Sequence, residues 1–261
     1  MKTILLTNKY PEGPYKIISS CVPDGFRLLM LDEVSQEDLV KKAPEADYIL
    51  ASGRLKIDEP VIKAATKLKM VQRTGVGLDA LDLDLLRERN IPLYVNNGVN
   101  ADSVAEHALL LILSCLRRLP EVLANTKGGQ WIKQAQGVRT FELRGKTVGV
   151  IGLGNIGQKV AHLLNAFGAQ VICHTYPDLT ESQQQAWNVK QLPLDEVISQ
   201  SDIITLHCPL TPDTKELICK GSIEKMKDNV VIVNTARGQL VNEADLLDAL
   251  NSGKVSFVGL D

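Results

Sequence analysis

Lys146-Thr147-Val148-Gly149-Val150-Ile151-Gly152-Leu153-Gly154-Asn155-Ile156-Gly157 is the stretch on which the fold turns. Its first six residues are a short, β-branched, apolar run that reads as a buried strand. The next six spell G-x-G-x-x-G, and the amphipathic pattern that continues through Phe167 reads as the helix this turn opens. In that setting each glycine has its own task. The first permits the tight turn, the second lets the backbone approach a pyrophosphate, and the third lets helix and strand pack closely. The helix N-terminus offers unpaired N–H groups to the anion. Glycines also mark ordinary tight turns, but here a second strand, Gln170-Val171-Ile172-Cys173-His174, follows at the spacing of a βαβ unit. In the NAD form of that unit an acidic residue closing the second strand holds the ribose hydroxyls. This chain reads His174-Thr175-Tyr176-Pro177-Asp178, so the carboxylate is missing or displaced by three residues.

Upstream, apolar runs at Thr3-Ile4-Leu5-Leu6, Tyr48-Ile49-Leu50, Met70-Val71-Gln72 and Leu93-Tyr94-Val95 alternate with helix-like stretches such as Ser35 to Lys42 and Glu59 to Leu68. Alternation of this kind predicts a mainly parallel sheet covered by helices, and a first domain over residues 1–97. From Asp102 to Arg118 the apolar positions Val104, Ala108, Leu111, Ile112 and Cys115 recur at helical spacing, with Asp102 and Ser103 available as caps. A looser segment, Asn125 to Arg139, then leads to the strand at Lys146, and residues 98–261 form the second domain. The fold class is α/β, with two doubly wound parallel-sheet domains. No repeat, low-complexity tract or Pro/Ser-rich linker separates them, so structured elements and a hinged cleft are expected.

At 261 residues and 44% hydrophobic, the chain is long enough for two packed cores. With 29 basic against 31 acidic residues, no net field draws it to nucleic acid or an anionic membrane. Small-molecule chemistry is the default. The apolar run near Met1 is too short for a signal-peptide core or a membrane span. Five cysteines, at 21, 115, 173, 208 and 219 with no CxxC pair, read as core thiols of a cytoplasmic protein, with no metal site.

Five ordered motifs together resemble one family, the D-isomer-specific 2-hydroxyacid dehydrogenases, which include phosphoglycerate dehydrogenase. They are Arg73-Thr74-Gly75-Val76-Gly77-Leu78-Asp79; Asn96-Asn97-Gly98 with Ser103-Val104-Ala105-Glu106-His107; Gly152 to Gly157; His207-Cys208-Pro209-Leu210-Thr211-Pro212-Asp213-Thr214; and Val233-Asn234-Thr235-Ala236-Arg237-Gly238. The resemblance implies a Rossmann cofactor domain and a flavodoxin-like substrate domain. It also implies hydride transfer between a nicotinamide, NAD or possibly NADP, and a small 2-oxo or 2-hydroxy acid, with D stereospecificity. By the same resemblance Arg237 is the catalytic arginine, pairing with the substrate carboxylate and polarising the carbonyl. A guanidinium suits both tasks because it stays charged and presents a fork of donors. Gly75, Val76 and Gly77, with Asn97, would hold the substrate. Gly152, Gly154, Asn155, Ile156 and Gly157 would hold the pyrophosphate, with Thr175 at the ribose. His207, Cys208, Pro209, Thr214, Thr235, Ala236, Arg237 and Asp261 would complete the cofactor site. A homodimer is expected, with Asp102 to Arg118 as its contact, although an ordinary core helix would read identically.

The family places a glutamate a few residues beyond the motif that here ends Gly259-Leu260-Asp261, and a histidine in a later Pro-His pair that supplies the proton for the new hydroxyl. The sequence stops at Asp261, which reads as a fragment, inactive as it stands. His107 and His162 read as packing or surface residues, and His207 as a lining of the cofactor cleft. Two other readings stay open: a nucleotide-sensing binding protein on the same fold, as in the family's transcriptional co-repressors, and a short-chain dehydrogenase. The lack of a Tyr-x-x-x-Lys pair counts against the latter.

Overall fold

Four of the five strands in the first hundred residues form where the aliphatic runs predict them. β1 (Lys2–Leu6), β2 (Phe26–Met30), β3 (Tyr48–Ala51), β4 (Met70–Arg73) and β5 (Leu93–Val95) alternate with α1 (Glu12–Ser20), α2 (Gln36–Lys42), α3 (Glu59–Ala64) and α4 (Leu83–Glu88). The computed structural model describes residues 1–53 and 55–261, and its backbone divides into two units, Met1–Val99 and Asn100–Asp261. In the first unit every strand pairing is parallel and the order is β2-β1-β3-β4-β5, the flavodoxin-like winding. β2 was not among the expected strands. It is an edge strand interrupted by Arg27, and none of its residues is fully buried, so its apolar signal is weak. Leu5, Ile49 and Val71 come from adjacent central strands and share one core with Leu39 and Ile62 from the helices.

The second unit opens with α5 (Ala101–Arg117), α6 (Leu119–Lys127) and α7 (Lys133–Gly137). α5 stops because Arg118 turns left-handed (φ 52), and Pro120 in the first turn of α6 suits a helix start. The expected loose segment, Asn125 to Arg139, holds the last residues of α6 and the short helix α7, with irregular chain over 128–132 and 138–139. The expected caps also shift: Asn100 precedes α5 without a side-chain capping bond, while Asp102 pairs with Lys159 at 2.6 Å.

The βα alternation continues with β6 (Thr147–Ile151), α8 (Asn155–Ala166), β7 (Gln170–His174), α9 (Glu181–Trp187), β8 (Lys190–Gln191), α10 (Leu194–Gln200) and β9 (Ile203–Leu206). It ends with α11 (Lys220–Lys225), β10 (Val230–Asn234), α12 (Glu243–Ser252) and β11 (Val255–Leu260). The all-parallel order β11-β10-β9-β6-β7-β8 is the dinucleotide-binding winding, with the first strand beside the reversal point. Period-two alternation builds a core on each face. Val148, Val150, Val231 and Val233 pack with α5 and α8, whereas Ile151, Val230 and Ile232 pack with α10, α11 and α12.

Candidate active site

In the second unit the strand order reverses between β6 and β9, and the loops leaving those two strands meet there. Gly152 sits at φ 93, and a Cβ on it would lie 2.6 Å from the Cys208 nitrogen, so only glycine allows the loop after β6 to press against His207-Cys208. A Cβ on Gly157 would strike the Gly152 carbonyl oxygen. A Cβ on Gly154 would meet nothing within 4 Å. The fingerprint is therefore packed tight at its first and third glycines and open over the second, where a pyrophosphate approaches. α8 begins at Asn155 with no acidic residue in its first turn, which leaves its positive end suited to an anion. Ile156 packs on the α5-side core.

The loop after β7 closes over the fingerprint. The Thr175 hydroxyl accepts the Leu153 N–H at 3.2 Å, so one of its oxygen's acceptor positions is committed to the glycine loop while the O–H can still donate. Gln191 braces this loop: its Nε2 donates to Asp178 Oδ1 (2.7 Å) and to the Thr175 carbonyl (3.2 Å), and its Oε1 accepts the Leu179 N–H (2.7 Å).

Beyond β9, the His207 Nε2 lies 2.8 Å from the Thr205 hydroxyl, and burial pushes the imidazole down to about 4. It is a neutral ring at physiological pH and a poor proton donor there. Burial raises the Cys208 thiol, which rules out a ready thiolate and agrees with a packing role. Thr214 shapes its own turn, donating to the Pro209 carbonyl at 2.7 Å and accepting the Thr211 N–H at 2.8 Å.

After β10 the turn is organised by Asn234, only 4% exposed. Its Oδ1 accepts the Ala236 N–H (2.9 Å) and its Nδ2 donates to the Arg237 carbonyl (2.8 Å). The Thr235 hydroxyl is buried without a hydrogen-bond partner, an orphan of the kind a bound polar group satisfies. Arg237 is half-buried, and its Nη1 donates to the Ala236 carbonyl at 2.8 Å. Asp261 follows β11, its N–H donating to the Asn234 carbonyl at 3.2 Å. The expected cofactor residues thus all follow the carboxyl ends of the sheet's strands, or lie in the helix turn that β6 feeds. An open glycine cradle, an acid-free helix start and an orphaned hydroxyl together fit a dinucleotide.

Asn234 and Gln191 were not anticipated as organising residues. A polar side chain closing an aliphatic strand was the available signal for Asn234, while nothing local marks Gln191.

In the first unit Gly75, Val76 and Gly77 follow β4, and Asn97 follows β5. Both loops lie at the carboxyl edge of that sheet, with Val76 and Asn97 exposed.

Residues 109–261 match the family model described as D-isomer specific 2-hydroxyacid dehydrogenase, NAD binding domain. The chain belongs to that family. A hydroxypyruvate reductase from Thermotoga maritima is 40% identical over 230 residues, covering 88% of this chain and 73% of the relative. A D-3-phosphoglycerate dehydrogenase from Archaeoglobus fulgidus is 38% identical over 239 residues, covering 91% of this chain but 45% of the relative, so the chain spans less than half of that protein. Among solved structures, the NAD-dependent formate dehydrogenase of Staphylococcus aureus in complex with NAD has a TM-score of 0.85 at 32% identity, covering all of this chain and 81% of the other. Residues 109–261 are accordingly an NAD-binding domain. Dehydrogenases and reductases lend no support to the co-repressor reading.

Proposed function

We propose that the protein is an NAD-dependent oxidoreductase acting on a small 2-oxo or 2-hydroxy acid with D stereospecificity. The observation that carries this reading is the β10 turn, where Asn234 shapes the backbone that holds a half-buried arginine next to an orphaned hydroxyl. A bound nicotinamide supplies the hydride chemistry. Arg237 pairs with the substrate carboxylate and polarises the carbonyl, and its fixed charge steadies the oxyanion that develops there. In the first unit, Gly75, Val76 and Gly77, with Asn97, are the residues we assign to substrate binding, the glycine loop offering backbone N–H groups to an anion. Gly152, Gly154, Asn155, Ile156 and Gly157 receive the pyrophosphate, Thr175 a ribose hydroxyl, Cys208, Pro209 and Thr214 border the ribose and nicotinamide, and Thr235 and Ala236 flank the nicotinamide, with His207 and Asp261 completing the cofactor site. We place residues 1–97 in the substrate domain and 98–261 in the cofactor domain.

The proposed setting is the cytoplasm: all five cysteines are free thiols, and among the described residues no helix is long and apolar enough to cross a membrane. A homodimer with Asp102 to Arg118 at its contact is part of the reading; that helix exposes Leu110, and the chain beyond it exposes Leu119, Leu123 and Trp131. NADH oxidation by the full-length protein, measured with 2-oxo acids bearing hydrogen, methyl, hydroxymethyl or phosphooxymethyl beside the carbonyl, tests the activity. NADH binding with no turnover of any of them would overturn it. Sedimentation tests the dimer.

A further inference from the structure

β4 ends on an arginine that is only 6% exposed. A guanidinium cannot shed its charge, so burial at this depth requires acceptors for its fork of donors. Arg73 Nε donates to the Gly77 carbonyl at 3.0 Å, and Nη1 and Nη2 both reach the Gly53 carbonyl at 3.4 Å. Gly53 follows β3 and Gly77 follows β4, and these strands are neighbours in the sheet with Ala51 opposite Arg73. One buried cation therefore ties together the loops leaving the carboxyl ends of two adjacent strands. Three further bonds reinforce the arrangement. The Thr74 N–H donates to the Ala51 carbonyl at 3.0 Å, and Gln72 Nε2 bridges the Arg73 carbonyl (3.0 Å) and Asn96 Oδ1 (3.1 Å), bringing in the loop after β5.

Peptide geometry gives this a consequence. In a trans peptide the carbonyl and the following N–H point in opposite directions. Drawing the Gly77 oxygen onto Arg73 turns the Leu78 N–H away from the core, and a charged donor on the carbonyl polarises that same peptide unit. We propose that Arg73 is a positioning residue that holds the Gly75 to Leu78 segment with its N–H groups aimed at the substrate carboxylate. It acts through Gly77 and touches no substrate. The inference rests on the proposed function only in naming that ligand; the clamp itself does not depend on it.

Arg73→Lys keeps the charge but gathers its donors on one nitrogen at the end of a flexible stem, so it loses the rigid planar fork whose separate nitrogens meet the Gly77 and Gly53 carbonyls. In the full chain the variant is expected to raise KM for the 2-oxo acid about tenfold or more, the loss expected when one or two charge-assisted hydrogen bonds no longer fix the loop. The kcat should change less, and NADH affinity, measured by fluorescence, should not change. Amide hydrogen exchange over residues 75–78 should quicken, while exchange in β1 and β3 stays as in the parent. Arg73→Gln, which can still donate to Gly77, should fall between the two. Unchanged KM and unchanged exchange in a folded Arg73→Lys protein would overturn the proposal. So would loss of folding in both variants, since Arg73 would then be a general core cation. If the parent protein turns over no 2-oxo acid, the dehydrogenase reading fails, and faster exchange confined to residues 75–78 still supports the clamp.

Discussion

A guanidinium and an ammonium carry the same charge with different geometry, and at Arg237 that difference should decide turnover. The Asn234 bonds shape the backbone at Arg237 and the Ala236 carbonyl holds one edge of the side chain, and a planar guanidinium meets a carboxylate in a bidentate geometry that an ammonium cannot copy. Arg237→Lys is expected to lower kcat/KM by about a hundredfold or more, each factor of ten being about 1.4 kcal/mol of transition-state stabilisation. NADH binding should persist. Near-normal kcat/KM would remove Arg237 from the catalytic role. Thr175 poses the corresponding question for the nucleotide, because it stands where a carboxylate usually clamps the ribose. Asp178, the nearest acid downstream, is held by Gln191 within its own loop. Residues 173–189 contain no Lys or Arg, so nothing there favours a 2′-phosphate by full positive charge. NADH should be preferred over NADPH by a modest ratio, and Thr175→Asp should widen it about tenfold, the effect of about 1.4 kcal/mol, by placing like charge against the phosphate while still accepting the Leu153 N–H. Steady-state kinetics with both cofactors decide this, and an unmoved ratio would locate the discrimination elsewhere.

The turn between β6 and α8 joins fold to function within six residues, and its glycines should respond differently to the same substitution. Gly154→Ala adds a methyl where no atom lies within 4 Å and needs no unusual φ, so the melting temperature should hold while NADH affinity falls at least tenfold as the methyl meets the pyrophosphate. Gly157→Ala drives its methyl into the Gly152 carbonyl and should destabilise the unit itself, by roughly 1–3 kcal/mol as for other overpacked sites. Thermal unfolding and NADH titration of both variants separate these outcomes, and equal effects would mean the open and closed positions are misassigned. These glycines were legible in the sequence because their roles depend on local backbone geometry. The central strands were legible for the same reason, as Val148 to Ile151 and Val230 to Val233 are continuous aliphatic runs buried on both faces. β2 was not, because an edge strand with an arginine at its second position needs little apolar character. α6 and α7 escaped too: they are short helices with little buried surface, and a left-handed arginine at the break leaves no Gly signal. The braces supplied by Gln191 and Arg73 lie furthest from a sequence reading, because their partners stand on loops that only the sheet order brings side by side.

Both units secure the amino-terminal edge of their sheets with the same device, which sets how the molecule meets acid. Asp47 immediately precedes β3 and accepts the Thr3 N–H of β1 at 2.9 Å while pairing with Lys69 at 3.2 Å. Asp202 immediately precedes β9 and accepts the Thr147 N–H of β6 at 2.8 Å while pairing with Lys227 at 2.9 Å. The Thr3 N–H, helped by Lys69, holds the Asp47 carboxyl below its ordinary value; burial opposes ionisation of Asp202, but the Thr147 N–H and Lys227 outweigh it. A depressed carboxyl contributes stability that is present above its ordinary value of 3.8 and is lost as pH falls below it, so these two clamps yield only in strong acid. His207 yields earlier and in one unit alone. All four histidines lie beyond residue 100, and burial holds the His207 imidazole at about 4 against an ordinary 6.5. Between those values the unfolded chain binds a proton that the folded chain refuses, so stability falls as pH drops from 6.5 towards 4. Acidification from neutrality should therefore weaken the second unit while the first keeps its stability. Amide exchange corrected for intrinsic rates should lose protection across β6, β9 and β10 at pH values inside that window, with β1, β3 and β4 unaffected. His207→Gln can keep a hydrogen bond to the Thr205 hydroxyl but has no proton to gain, so the variant should flatten the loss. Parallel weakening of both units, or an unaltered slope in the variant, would show that the first acid-sensitive group is another residue.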